Sequence, residues 1–272
     1  MKHANYQLIP YPKIRRANAA TMLSFQRKPM MHGLIEVDVT KAREFLREHK
    51  ERTGVSQSFT AFIIGCVGKA VDEQKAVQAY RQGRKHLIVF DDVDVATMIE
   101  RDVKGQKVPV VYVIRAVNHK TFREIHIEIR TFQMQETTKS VLGFTTLPFL
   151  PASLLTRILY RILRTFPKLH KRVVGTIGVT AVGMFGKGYG WGIPVAAASL
   201  AITLGGLASK PGVIDNRIAI RDYLCMTLSF DHRITDGSPA ARFANRLKEL
   251  IESGYGLDGS MNEPEQSVAP GA

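Results

Sequence analysis

Runs with helical spacing of apolar residues alternate with short β-branched runs along the whole chain, and no Pro- or Ser-rich linker separates them. Such intermixing leaves few architectures: helices must cover a sheet around one core, giving a two-layer α/β domain. Residues 40–54 read as a helix with Thr40 as cap, Phe45 and Leu46 on the buried side and Gly54 as stop. A more apolar helix follows over 58–73. Residues 87–90, 93–99 and 108–114 read as strands, with Gly105 turning between the last two. Phe122, Ile125, Ile127, Ile129 and Phe132 mark a third helix, although the alternation at 125–129 also fits a strand. Residues 173–182 and 195–204 are strand candidates, and 213–218 with 223–230 suggest an antiparallel pair. In the last helix Ser238 is the expected cap and Pro239 suits the first turn. Phe243, Leu247, Leu250 and Ile251 share one face, and Gly254 ends it. The domain is expected to span 1–254, and the Gly-, Pro-, Ser- and acid-rich tail 255–272 to be disordered.

With 45% apolar and 23% charged residues, the 272-residue chain is not a wholly disordered one. Its formal net charge of +14 is concentrated. Residues 1–35 contain Lys2, Lys13, Arg15, Arg16, Arg27 and Lys28 and no acid. Residues 137–214 contain Lys139, Arg157, Arg161, Arg164, Lys168, Lys171, Arg172, Lys187 and Lys210, again with no acid. Two basic stretches on an otherwise near-neutral chain predict attraction to a nucleic acid, a membrane surface or a phosphorylated small molecule, or simply a solvated face. The basic segments carry no recognisable nucleic-acid-binding fold, which places nucleic acid behind the other two.

Cys66 and Cys225 sit in apolar segments with no disulfide spacing, which fits a reducing, cytoplasmic setting. The start lacks the apolar core of a signal peptide, and the stretch 193–208 is shorter than the roughly 20 residues that span a bilayer. No Cys/His set has zinc spacing, so no metal is expected. Residues 147–172 stand apart. Leu154, Leu155, Ile158, Leu159, Ile162 and Leu163 recur at helical spacing, with Arg157, Arg161 and Arg164 opposite. This basic amphipathic helix either packs on its own domain or lies, through 151–166, on an anionic membrane or a partner. The glycine-rich run 183–190 lacks the terminal Lys-Ser/Thr of a P-loop and reads as a flexible turn.

Residues 225–237 read Cys-Met-Thr-Leu-Ser-Phe-Asp-His-Arg-Ile-Thr-Asp-Gly: a strand that runs into a polar loop, with a helix to follow. A histidine at such a junction is poised at a surface, where neutral imidazole can accept a proton near pH 7. The string Asp231–Gly237 resembles the catalytic signature of the dihydrolipoyl acyltransferases of 2-oxo acid dehydrogenase complexes, which share a fold with chloramphenicol acetyltransferase. Ile14-Arg15-Arg16, Val37-Asp38-Val39-Thr40, Phe62-Ile63-Ile64 and Val108-Pro109-Val110 fall in that family's order. Residues 175–186 resemble its second active-site strand.

The resemblance implies a two-layer sandwich with a mixed sheet, assembled as a homotrimer with each active site at a subunit interface. His232 would be the general base and Thr180 the oxyanion donor. Asp236 would hold the His loop, paired with Arg16, while Arg233 and Gly237 shape it. Coenzyme A would be the acyl donor or acceptor. No lipoyl or subunit-binding domain appears in these residues, so a lipoyl group would come from a separate lipoyl protein or other dehydrogenase-complex subunits. Thr180-Ala181-Val182-Gly183 replaces the usual Ser-Asn-Leu-Gly, and the basic helix looks inserted ahead of that strand. Two alternatives stand beside this reading: a non-catalytic trimeric scaffold, and a peripheral membrane acyltransferase acting on a lipid-linked acceptor.

Overall fold

The computed structural model describes residues 7–11, 15, 19, 22–23, 28–103, 106–135, 158, 161–163, 165–183 and 188–257. Strand β1 (Met30–Asp38) leads into helices α1 (Thr40–Thr53) and α2 (Phe59–Glu73). A small hairpin of β2 (Tyr80–Gln82) and β3 (His86–Ile88) follows, then the antiparallel pair β4 (Val95–Val103) and β5 (Gln106–Ile114), and α3 (Phe122–Met134). The second half holds α4 (Pro167–Val174), β6 (Ile177–Ala181), β7 (Leu200–Ile214), β8 (Arg217–Asp231) and α5 (Gly237–Ser253).

Six strands form one mixed sheet in the order β1-β8-β7-β6-β4-β5, with β6 parallel to both its neighbours and the other pairs antiparallel. Side chains alternate across a sheet, so its two faces differ in kind. One face presents Val179, Ile202, Leu204, Met226, Leu228 and Phe230 to Phe62, Phe243 and Leu247 of the helices, and this is the core. The opposite face is small and hydroxylic: Gly178, Thr180, Ala201, Thr203, Thr227 and Ser229. The chain before β7 crosses this second face. Gly206 N–H donates to Gly190 O at 2.8 Å, and Trp191 Nε1 donates to Ile35 O at 3.1 Å.

Local chemistry explains where elements start. Ser58 Oγ accepts from Ala61 N–H at 3.2 Å and caps α2. The Thr121/Glu124 capping box resolves the ambiguity at 125–129 in favour of a helix, burying Phe122, Ile125 and Ile129. Other expectations need correction. Thr40 lies inside α1, with Val39 at the cap position; its hydroxyl donates to Asp38 Oδ1 at 2.6 Å and accepts from Asp222 N–H at 2.8 Å. Of the segment 173–182 only Ile177–Ala181 is strand. Pro167 starts a helix there, and Gly175 ends it at φ 78°, where a Cβ would lie 2.7 Å from Asp94 O. The segment 213–218 is not one strand but a hairpin tip: Val213 and Ile214 end β7, Arg217 and Ile218 open β8, and between them Asp215 and Asn216 take φ 48° and 59°, the left-handed conformers that two-residue hairpins use. Asp236, not Ser238, occupies the cap position of α5, and Ser238 Oγ accepts from Arg242 instead. The described chain runs past residue 254 to Leu257, whose side chain is buried in the core.

Candidate active site

The His loop is built by β1, β8 and the start of α5. Asp231 closes β8 opposite Met30, and His232 N–H donates to Pro29 O at 2.9 Å. Ile234 and Thr235 N–H both return to Asp231 O, closing a tight turn. The Asp231 carboxylate is 2% exposed and accepts from Arg233 N–H at 3.2 Å and Arg233 Nε at 2.8 Å. Burial alone would raise its pKa. The hydrogen bonds and charge of Arg233, with the charge of Lys28 behind them, outweigh burial and hold the carboxyl below its ordinary value. Lys28 in turn ties the loop region to the crossing segment, donating to Ala197 O and to Ala198 O at 3.1 Å.

These anchors leave the His232 imidazole half exposed, with Nδ1 3.5 Å from Asp236 Oδ1. An imidazole oriented by a carboxylate at Nδ1 has Nε2 available to accept a proton. Asp236 was expected to pair with Arg16, which lies outside the described residues; the partner that the described residues give it is His232. Arg233 does shape the loop, through Asp231. At Gly237 an added Cβ would meet nothing within 4 Å, so the single chain does not demand glycine there.

Thr180 sits on β6, partly buried on the hydroxylic face, opposite Thr203 of β7, which is opposite Thr227 of β8. Two strand spacings of about 4.8 Å and the five residues from Thr227 to His232 at about 3.3 Å put Thr180 roughly 19 Å from His232 within one chain. The two expected catalytic groups are thus not brought together by one copy of the fold.

Sequence reasoning missed three supports of the loop. Asp231 opens the recognised motif and could have been found there. Lys28 and Pro29 are remote in sequence and leave no local signal. It also missed the pair His32 Nδ1–Ser229 Oγ at 2.8 Å on the hydroxylic face. The glycine-rich run is not a loose turn at its described ends. A Cβ at Gly183 would lie 1.7 Å from Gly205 O, and one at Gly205 would lie 2.1 Å from Gly190 O, so backbone packs directly on backbone. Of the basic helix, Arg157, Arg164 and residues 147–157 lie outside the described residues. What is described turns Leu163 and His170 inward and leaves Ile162, Phe166 and Leu169 exposed. No described helix is long and apolar enough to cross a membrane.

A helix-covered mixed sheet with a histidine loop at the end of β8 defines an acyltransferase-core type of fold. Two solved structures share it: a probable dihydrolipoamide acetyltransferase from Listeria monocytogenes and the cubic core of the pyruvate dehydrogenase multienzyme complex. The first has a TM-score of 0.67 at 24% identity, covering 92% of this chain and 95% of its own. The second has a TM-score of 0.68 at 18% identity, covering 94% and 95%. The chain belongs to the 2-oxoacid dehydrogenases acyltransferase (catalytic domain) family, whose model matches residues 3–141 and 166–257. Among curated relatives, the lipoamide acyltransferase component of the branched-chain alpha-keto acid dehydrogenase complex of Bacillus subtilis is 26% identical over 251 residues. That match takes in 90% of this chain and 52% of the relative. A dihydrolipoyllysine-residue succinyltransferase component of Staphylococcus aureus is 26% identical over 240 residues, 87% of this chain and 48% of the relative. The chain spans about half the length of these relatives.

Proposed function

We propose that the chain is the catalytic domain of a thioester-dependent acyltransferase that moves an acyl group between coenzyme A and a thiol or hydroxyl acceptor. A dihydrolipoyl thiol is the first acceptor to test, because the curated relatives are named for lipoamide and dihydrolipoyllysine chemistry. The observation that carries this reading is the anchored His232, its Nδ1 facing Asp236 and its backbone pinned to Pro29. His232 Nε2 takes the acceptor's proton as the acceptor's sulfur or oxygen bonds to the thioester carbonyl carbon. The Thr180 hydroxyl donates to the resulting oxyanion. The tetrahedral intermediate collapses by breaking the donor's C–S bond, and the imidazolium returns its proton to the departing thiolate.

Thr180 and His232, roughly 19 Å apart by strand geometry, reach one substrate only if they belong to different copies, which supports a homotrimer with its sites between subunits. The open space over Gly237 leaves room for such an approach. Arg16, adjacent in sequence to the exposed Arg15, keeps its proposed place beside Asp236 across that site. The two buried, free cysteines suit a reducing cytoplasm. One catalytic domain, closing at Leu257 rather than at 254, carries an inserted segment ahead of β6, a reading supported by the family match passing over 142–165 and ending at 257.

Short acyl-CoAs incubated with dihydrolipoamide, and with monothiol and hydroxyl acceptors, should release free coenzyme A thiol. His232→Ala should lower the rate by about a hundredfold or more. Unchanged activity in that variant overturns the mechanism, and an inactive wild-type protein across the acceptor panel favours a trimeric scaffold. A second reading adds a membrane surface. Ile162 and Phe166, ahead of α4, and Leu169 within it lie among the basic Arg161, Lys168 and Arg172, a mix of apolar and basic side chains that suits an anionic membrane. All six side chains are exposed. Sedimentation with phosphatidylglycerol vesicles should weaken in Phe166→Ser and in high salt. Salt-independent or unchanged binding rejects this reading.

A further inference from the structure

We propose that Thr203, backed by Thr227, is a positioning residue that aims the Thr180 hydroxyl during acyl transfer. This rests on the acyl-transfer reading and on Thr180 as its oxyanion donor.

Thr180, Thr203 and Thr227 occupy directly opposed positions on three adjacent strands, so their side chains share one face of the sheet. Thr203 is 2% exposed and Thr227 is fully buried. Neither hydroxyl has a hydrogen-bond partner among the described residues. A buried, unpaired hydroxyl costs on the order of 1–3 kcal/mol, and valine would fill the same space without that cost. Two such hydroxyls in a line that ends at Thr180 are expensive for a purely structural strand. Neither hydroxyl serves the apolar core, which lies on the other face, and Thr203 meets the crossing segment through its methyl, against Gly192.

Opposed residues on a shared face have Cβ atoms about 5 Å apart, so rotation between staggered χ1 wells brings neighbouring hydroxyls within hydrogen-bond reach. Threonine hydroxyls both donate and accept. In the reacting state the Thr180 O–H donates to the oxyanion and its lone pair accepts from Thr203 O–H, which accepts from Thr227 O–H. The row then points every donor toward the developing charge, and each bond polarises the next. Its two buried hydroxyls gain partners as the oxyanion forms, so the stabilisation is larger in the transition state than in the resting chain.

The test is Thr203→Val in the coenzyme A-release assay with acetyl-CoA and dihydrolipoamide, alongside Thr203→Ser, Thr180→Val and the double valine variant. Thr203→Val should melt at or above the wild-type temperature yet lose roughly tenfold in kcat with KM unchanged, the loss expected for one hydrogen bond. Thr203→Ser should recover most of it. The double variant should be no slower than Thr180→Val alone, because the two act as a unit. If Thr180→Val is impaired but Thr203→Val is not, the inference falls and the Thr180 reading stands. If Thr180→Val keeps full activity, that reading falls and takes the inference with it. An additive loss in the double variant, or a loss confined to KM, also overturns the proposed relay.

Discussion

Separation of the two proposed catalytic groups within one chain makes a quantitative prediction. His232 and Thr180 stand roughly 19 Å apart by strand spacing and rise, several times the reach of a single thioester carbonyl. On the proposed mechanism a site draws its histidine from one copy and its threonine from a neighbour. His232→Ala and Thr180→Val should each be nearly inactive as pure proteins, with losses of about a hundredfold or more. Co-expressed in equal amounts and assembling at random, they regain an intact site wherever a chain with His232 faces a chain with Thr180. Each of those two choices has probability one half, so about a quarter of the interfaces are intact and about a quarter of wild-type activity should return. The assay is coenzyme A release by the purified mixed oligomer, with the two variants carrying different tags to confirm mixed assembly. A tag-verified mixture no more active than its parents refutes the reasoning, because it would place both groups of each site on the same chain.

Acid should destabilise the protein through His170, which is buried, stacks on the Tyr80 ring at 4.6 Å and has an Nε2 without a partner among the described residues. Burial first, then the charge of Lys28, pushes its pKa down to about 3. The unfolded chain therefore binds the extra proton between about pH 6.5 and 3, so this contribution is complete above pH 6.5 and fades as pH falls. By pH 4.5 about 3 kcal/mol is lost, a loss that His170→Phe should not show in urea unfolding; parallel pH curves for the two proteins reject this. Phe243→Ala removes a fully buried ring that meets Phe230 edge-on at 5.8 Å, and should cost about 4 kcal/mol by urea unfolding. A cost under about 1 kcal/mol would mean the helix layer does not pack there as described. Gly183→Ala drives a Cβ to 1.7 Å from Gly205 O. Forced apart, β6 and β7 should lose about 3 kcal/mol of stability, with Thr180 displaced and activity falling alongside. Normal melting in that variant would contradict the direct backbone packing.

Elements with their own local punctuation were legible. Gly54 and Gly254 end their helices where the sequence places them, and the helix from 58 was found to within a residue, whereas the Thr121/Glu124 box that settles α3 went unread. The His loop was legible for the same reason, since Asp231 to Gly237 is one contiguous strand–turn–helix string. Where the reading failed, the deciding contact was remote. β1 shows no clean alternation and becomes a strand by pairing along its length with β8. The segment 173–182 has a β-branched composition, but the start of α4 at Pro167 and the close approach of Gly175 to Asp94 confine the strand to Ile177–Ala181.

The sequence by itself determined the class of core, the glycine-ended helices and the identity of the histidine loop, because each depends on neighbours within a few residues. Tertiary structure alone decided which face of the sheet is apolar and which hydroxylic, that three threonines from three strands form one row, and that Thr180 and His232 lie too far apart to meet in one chain. Strand order and register are set by pairings between distant segments, and no local pattern encodes the distance between two residues on non-adjacent strands.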